Sequence, residues 1–417
     1  MNVIQKRKSV LFYCAYFMYL FATVMQSTMF TNYQTLSRCF VLLRYLACGI
    51  ALIKIGLDLY FRWRGEECSG QTVWYRGSTA KRAIVYSFFL LLIGLASFVP
   101  DDRSLVFVAV LLLAADGLNV KSIFISTFWV QLVLLIGIVL SSSLGIIPDL
   151  LFKRTSIPIR HALGYTYPSV MMSYFCFTIF LYLWIRDCEL TGKELAVLEL
   201  TNYLLFLLTD SRTSFLLLLI GLPVCWLIGK YTRIFSKLDV MKDIRKIPVV
   251  SRLCAHLFDY LAVYLSLFLF LLCMLGLDNG FSRLVNRALS DRVYHMANAV
   301  SNYGIHLFGS NIDWIGFGGS LDTDSLMATY NFVDCSYGYI LLNFGILIFV
   351  LMLALWVCIN KYVRKKYNLG HMFILIMVLL YCFIEPRLLE LQMNPFLLLI
   401  APLAGGRSSE WKQLFRK

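Results

Sequence analysis

Signatures for binding nucleotides are missing from this sequence: it has no Walker A loop, no Rossmann glycine pattern and no other nucleotide motif. Its twelve cysteines form no CxxC pair and no Cys/His cluster, and nearly all lie in apolar runs. Thiols in such places behave as small hydrophobes, which excludes a disulfide framework and a zinc site. Charge is scarce as well, at 15% of the residues. That composition overrules the roughly two or three soluble domains that length alone suggests. No small-residue cleavage site follows the first apolar run, behind Lys6-Arg7-Lys8, so this run is expected to stay as a helix. No repeat relates the two halves of the chain, which counts against an inverted-repeat transporter.

What the sequence does have is apolar residues, 59% of the total, with a mean hydropathy of +0.73. Runs of about 20 recur throughout, the length a hydrocarbon core of roughly 30 Å asks of a helix. The expected fold class is an all-α polytopic integral membrane protein, with 1–417 forming a single membrane domain of about twelve transmembrane helices. The expected spans are 10–30, 39–60, 83–99, 104–118, 122–145, 169–185, 195–209, 213–229, 257–277, 337–358, 371–385 and 394–404. Of the 38 Lys and Arg, 26 fall before the first span, after the last, or in alternate connections such as 61–82, 230–256 and 359–370. By the positive-inside rule those segments are cytoplasmic, and so are both termini. The net charge of +14 is then a topology signal and not a sign of nucleic acid as a partner. Two outer loops exceed a turn: 146–168, and the long polar interval 278–335. Chemistry on that face needs a pre-activated substrate, because ATP is not available there.

Within 278–335, Phe281 to Asn302 reads as one amphipathic helix, with apolar residues at three- and four-residue spacings. Arg287 lies on its polar side, whereas Arg292 falls in the middle of the apolar arc. A guanidinium there needs an anion, and the alternatives are a buried ion pair, a snorkelling side chain or an anion-binding site. Arg160-His161 precedes Gly164 and Pro168, whose shaped turn would hold the pair near the membrane surface. His161 is a candidate proton acceptor, and an ordinary interfacial arginine is the alternative for Arg160. Asp210-Ser211-Arg212-Thr213 forms a short connection in which Arg212 beside a helix N-terminus makes an anion cradle, or simply closes the turn on Asp210. Asp334 and Tyr337 open a helix, where an acid can equally be a cap. Glu385-Pro386-Arg387, with Glu390 and Asn394 behind, places ionisable groups where a cavity rather than lipid is expected. Lys54 and Asp58 form an i,i+4 pair with a structural role, and the role of Arg44 stays open. His161, His295 and His306 share the outer side, but no spacing supports a metal site.

Several of these stretches resemble the Wzy-type O-antigen and capsular polysaccharide polymerases, particularly the Gram-positive capsule and exopolysaccharide type. They are "IRHALGYTYPS" (159–169), "LTDSRTSFLLLL" (208–219), "LVNRALSDRVYHMANAVSNYGIHLFGSNI" (284–312), "FVDCSYGYILLNFGILIFV" (332–350) and "FIEPRLLELQMNPFLLLIAP" (383–402). The sequence departs from the pattern at Ser169 (an expected Asn), Asp291 (a Gly) and Cys335 (an Asn). An Arg-x10-Gly pattern is also absent, since eleven residues separate Arg292 from Gly304.

The resemblance implies a glycosyltransferase C-like helix bundle, similar to O-antigen ligases, in the cytoplasmic membrane of a bacterium. It implies a metal-independent glycosyltransferase that needs no cofactor and polymerises undecaprenyl-pyrophosphate-linked repeat units on the outer leaflet. Arg160, Arg212, Arg287 and Arg292, with Tyr337, would then hold substrate and its departing pyrophosphate. His161 or Asp334 would accept the acceptor hydroxyl's proton, with Glu385 in reserve. Membrane lipid, a flippase and a chain-length regulator are the candidate partners. A lipid-linked oligosaccharide flippase and a ligase are the alternative functions.

Overall fold

The computed structural model of the protein describes residues 3–64, 79–154, 157–235, 248–276, 278–318 and 330–401. Fourteen helices are seen there: α1 (Val3–Gln26), α2 (Gln34–Trp63), α3 (Thr79–Phe98), α4 (Ser104–Ala114), α5 (Val120–Ser143), α6 (Pro168–Ile185), α7 (Gly192–Thr209), α8 (Arg212–Phe235), α9 (Pro248–Asp259), α10 (Leu261–Leu275), α11 (Gly280–Ala288), α12 (Arg292–Tyr303), α13 (Ser336–Lys366) and α14 (Leu369–Ile384). Apolar runs fold this way because a helix bonds its backbone groups within the segment, as a bilayer requires. Six of the helices are long and apolar enough to cross a membrane. The pair α9–α10, bent by 69° at Tyr260, adds a seventh candidate. The architecture is that of a mostly helical membrane protein. Helices overlap each of the first eleven expected spans, though α1, α4 and α10 stop short of their expected ends. The last, 394–404, begins as a buried 3-10 turn, Pro395–Leu399, and continues outside the described residues.

The centre of the bundle is α6, whose side chains are buried along nearly its whole length. Its few polar groups are matched. Ser173 Oγ lies 2.9 Å from the Tyr381 hydroxyl of α14, which also lies 3.0 Å from Ser214 Oγ of α8. Bonds like these satisfy polar atoms that would otherwise cost about 1–3 kcal/mol each. At one end of the bundle, the α9–α10 bend is held by Arg364, which donates twice to the buried Asp259 carboxylate at 2.7 Å. The other end carries the long loop, the 146–168 connection and the segment after α14, and is called the loop end below.

Three local features differ from the sequence expectation. The 146–168 loop contains a hairpin, β1 (Leu151–Arg154) and β2 (Ile157–His161), so the described chain is not wholly α. Strand alternation turns the paired Phe152 and Arg160 inward and leaves Leu151 and Ile159 exposed. The single helix expected over 281–302 is broken into α11 and α12, because Ser290 and Asp291 adopt left-handed backbone (φ 54° and 64°). Asn286 stabilises the break: its Nδ2 donates to Asp291 Oδ1 at 2.7 Å, and its Oδ1 accepts from Tyr294 N at 3.0 Å.

The third feature is a break within α13. Gly345 has φ 85° and ψ 176°, outside helical space. The backbone groups this frees are taken up by the loop after α12. Ile346 N donates to His306 O at 3.0 Å, and Ser310 N donates to Leu342 O at 3.1 Å. Trp314 and Asn343 pin the same contact through a 3.0 Å side-chain bond. Residues 346–366 beyond the break span about 30 Å at the helical rise, enough to cross a membrane alone. The inserted loop therefore sits at the loop end.

Candidate functional site

The site is built on the segment that leaves α14. Pro386 lacks an N–H and disfavours helix for the residue before it, so α14 stops and Glu385 is extended (φ −120°, ψ 143°). The chain then turns back into the bundle, with Leu388, Leu391, Met393 and Asn394 buried. Ser336, at the start of α13, anchors the turn. Its Oγ donates to Glu385 O at 2.7 Å and accepts from Leu388 N at 3.1 Å.

This segment carries a ladder of charges. Arg292 Nη2 donates to Glu385 Oε1 at 3.1 Å, and Arg292 Nε lies 3.8 Å from Asp334 Oδ2. Glu385 Oε2 lies 3.9 Å from Arg387 Nη2, and Arg387 Nη1 donates to Glu390 Oε1 at 2.7 Å. Burial pushes the Glu385 carboxyl above the ordinary carboxylate range, against the pull of Arg292 and Arg387. Burial opposes the charge of Arg292 and Arg387 too, but the flanking carboxylates outweigh it and raise both.

Beyond Arg387 the ladder opens into a cavity of about 390 Å³ between α1, α2, α4, α13 and the returning segment. Its charged lining is Arg44, Arg387, Asp102 and Glu390. Around these stand Gln26 and Gln392, and the rings of Phe107 and Tyr339. Gln392 Nε2 donates to Glu390 Oε2 at 3.0 Å, and Tyr19 OH donates to Gln392 Oε1 at 3.4 Å. Arg44 Nη1 donates to the neutral Gln26 amide at 2.7 Å and its guanidinium lies 5.0 Å from the Phe107 ring centre. Arg44 is thus the lining cation whose closest contacts are uncharged. Among the described residues, Arg44 Nε and Arg387 Nε are buried without a hydrogen-bond partner.

Of the expected site residues, the structure brings together Arg292, Asp334 and Glu385. For Arg292 the buried ion pair is the arrangement found. Its environment holds two carboxylates, and it does not line the cavity. Arg160 is buried and serves the hairpin: its Nε donates to Thr209 O at 2.8 Å and its Nη1 to Tyr167 OH at 3.2 Å. Arg212 is 57% exposed and 3.4 Å from Asp210, so it closes the turn as a surface pair. Arg287 is exposed on α11, away from the ladder's buried partners. Tyr337 is buried, with its hydroxyl 3.4 Å from Leu379 O. His161 Nδ1 lies 2.6 Å from Asp149 Oδ2, a bond that clamps the hairpin outside the cavity lining.

An aromatic relay does connect the hairpin to the ladder. Tyr167 stacks on Phe317 (6.3 Å, 19°) and Phe317 on Tyr330 (4.7 Å, 21°). The Tyr330 hydroxyl donates to Asp334 at 3.2 Å. Asp102 and Gln26 escaped the sequence reading, since neither belongs to a motif. The signal available for Asp102 was an acidic pair, Asp101-Asp102, between two apolar helices. Among the described residues, no three His, Cys, Asp or Glu side chains gather as a metal site.

His295 supplies a pH prediction. Burial against the Tyr330 ring pulls its imidazole below the ordinary value of 6.5, Arg292 adds to the fall, and Asp334 and Asp291 oppose it. An unfolded chain takes up a proton as pH falls below about 6.5, and the folded protein does so only at lower pH. The contribution is therefore complete above that pH and is lost on acidification. Thermal unfolding of wild type against His295→Gln from about pH 7.5 to 5 should show the wild type losing more stability. A constant difference across that window would refute it.

No family model matches the chain, and neither a curated protein nor a solved structure matches it. Function has to be read from the site.

Proposed function

We propose that this protein is a polysaccharide polymerase, joining undecaprenyl-pyrophosphate-linked oligosaccharide repeat units on the outer face of a bacterial cytoplasmic membrane. The finer architecture proposed with it is a glycosyltransferase C-like bundle of about twelve spans, with both termini in the cytoplasm. The observation that carries this reading is the 390 Å³ cavity at the loop end of an apolar helix bundle, lined by two arginines and two carboxylates. Amides, hydroxyls and aromatic faces stand in the remaining wall among aliphatic side chains, a mixture suited to a polyhydroxylated ligand with apolar sugar faces. In a helical membrane protein such groups mark a substrate path more often than they face lipid.

The geometry favours a different set of residues from those the sequence resemblance suggested. Glu390, in the cavity wall and oriented by Arg387 and Gln392, takes the proton of the acceptor hydroxyl. The hydroxyl oxygen attacks the anomeric carbon of the donor sugar, and the bond from that carbon to the pyrophosphate oxygen breaks. Undecaprenyl pyrophosphate departs with the electron pair. Charge grows on the leaving group in the transition state, and Arg44, lacking a direct carboxylate partner, is the cation placed to meet it. Arg292, Asp334 and Glu385 position the returning segment and do not touch the reacting atoms.

The test has two parts. Cells lacking the protein should accumulate single repeat units on undecaprenyl pyrophosphate, exposed on the outer leaflet. Units held on the cytoplasmic side would instead indicate a flippase. Glu390→Gln, at normal membrane abundance, should lower polymerisation by about 100-fold or more, as loss of a general base does, and Arg44→Gln should also shorten the polymer. Normal polymer in both variants would remove the cavity from the reaction.

A further inference from the structure

Helix α11 has its amphipathic order inverted. Ser282 and Asn286 face the protein and are buried, whereas Phe281 and Leu284 point away, 54% and 68% exposed. At 100° per residue, Phe281, Leu284 and Ala288 share an outward arc of about 60°, flanked on one side by Arg283 and Arg287. A helix of a water-facing loop would turn that arc inward, because each exposed Leu or Phe forgoes about 1.5–3 kcal/mol of burial. A helix in contact with lipid has no reason to. The apolar surface also continues from the preceding span. The outer face of α10 exposes Leu267, Leu271 and Met274, the last at 86%, and only residues 276–279 lie between it and α11 in the sequence.

The two arginines suit the position next to that apolar arc. Arg287 is exposed, and Arg283, also exposed, reaches Asp278 O at 3.3 Å through Nη2. Long basic side chains bordering an inserted apolar strip extend into the headgroup layer, where phosphates are available.

We propose that α11 is an interfacial helix whose partner is the anionic phospholipid surface. Phe281 and Leu284 enter the outer acyl region, and Arg287 with Arg283 binds headgroup phosphates. The site is tied to the ionic ladder through the chain. Leu289 O, at the end of α11, accepts from Arg292 Nη1 at 3.1 Å, and Asn286 bonds Asp291. Lipid seating of α11 thereby positions the start of α12. This inference does not depend on the reaction proposed above.

The full-length protein in nanodiscs, with phosphatidylcholine alone or mixed with phosphatidylglycerol, provides the test. Backbone hydrogen exchange over 280–288 should slow by about tenfold or more in the anionic discs, since basic residues bind such a surface strongly. The double variant Arg283→Gln/Arg287→Gln should erase the difference between discs. Leu284→Ser, a surface change that leaves the fold intact, should speed exchange in both. Exchange that is the same in both discs would overturn the proposal. So would equal protection from inorganic phosphate added to phosphatidylcholine discs, because the site would then take a soluble anion and not the lipid surface.

Discussion

Glu385→Ala is expected to destabilise the protein by about 3–5 kcal/mol, the range for breaking a buried ion pair by removing one partner. The carboxylate is 6% exposed and stands between two arginines, at 3.1 Å from Arg292 and 3.9 Å from Arg387. Without it Arg292 keeps one carboxylate, Asp334 at 3.8 Å, beside the carbonyls of Ile384 and Leu289, and the returning segment loses its charged tie to α12. Arg292→Ala should be comparably costly, leaving the Glu385 charge buried beside the more distant Arg387. The double variant Arg292→Met/Glu385→Leu should cost less than either single change, because no orphaned charge remains and similar volume is restored. Thermal unfolding in detergent measures the cycle. Unfolding midpoints equal to wild type in both single variants would mean that the ladder contributes nothing. Because this segment forms a cavity wall, polymer should disappear with the single variants. Recovery of stability without activity in the double variant would separate positioning from folding.

The second large effect is expected at the break in α13. Gly345 (φ 85°) and Gly309 (φ 82°) lie against each other's segments. A Cβ on Gly345 would meet Leu307 O and Gly309 N, and one on Gly309 would meet Asn343 O. The backbone conformation of Gly345 is open essentially to glycine alone and costs other residues about 1–3 kcal/mol before any clash. Alanine at either position should therefore prevent the loop from docking and sharply reduce the amount of monodisperse protein extracted from membranes. Gly137→Ala is the control. Its Cβ meets nothing within 4 Å, and an alanine inside a helix should stabilise by about 0.5–1 kcal/mol. Normal yield of Gly345→Ala and Gly309→Ala would show that the break is not held by this contact.

The helices were readable because a bilayer demands long apolar runs, a property visible residue by residue. The breaks were not. The expected span 337–358 reads as one apolar run straight through Gly345, and only the loop arriving from 306–310 takes up the backbone groups that an interruption there frees. Across Ser290 and Asp291 the apolar periodicity continues unchanged, so nothing in the spacing marks the turn that Asn286 builds. The apolar arc of the helix marks Arg292 as a charge in need of an anion, and Glu385 and Asp334 are among the acids the sequence offers. Their pairing could not be read, because it joins residues far apart in the chain, 93 positions for the Arg292–Glu385 bond. Arg160 and Arg212 illustrate the opposite failure. Both belong to suggestive motifs, yet their partners are structural: the Thr209 carbonyl, 49 residues away, for Arg160 and the neighbouring Asp210 for Arg212.

The segment 385–394 also has a temporal meaning. Tyr19 and Gln392, which meet across the cavity, are separated by 373 residues. Gln131 of α5 likewise donates to Gln392 O at 2.8 Å, across 261 residues. During synthesis the helices can enter the membrane one after another, but this wall is laid down only after α14. A nascent chain halted before Glu385 has spans without a closed site. The cavity wall thus cannot close until the chain has been made through Gln392, whose contacts with Tyr19 and Gln131 complete it.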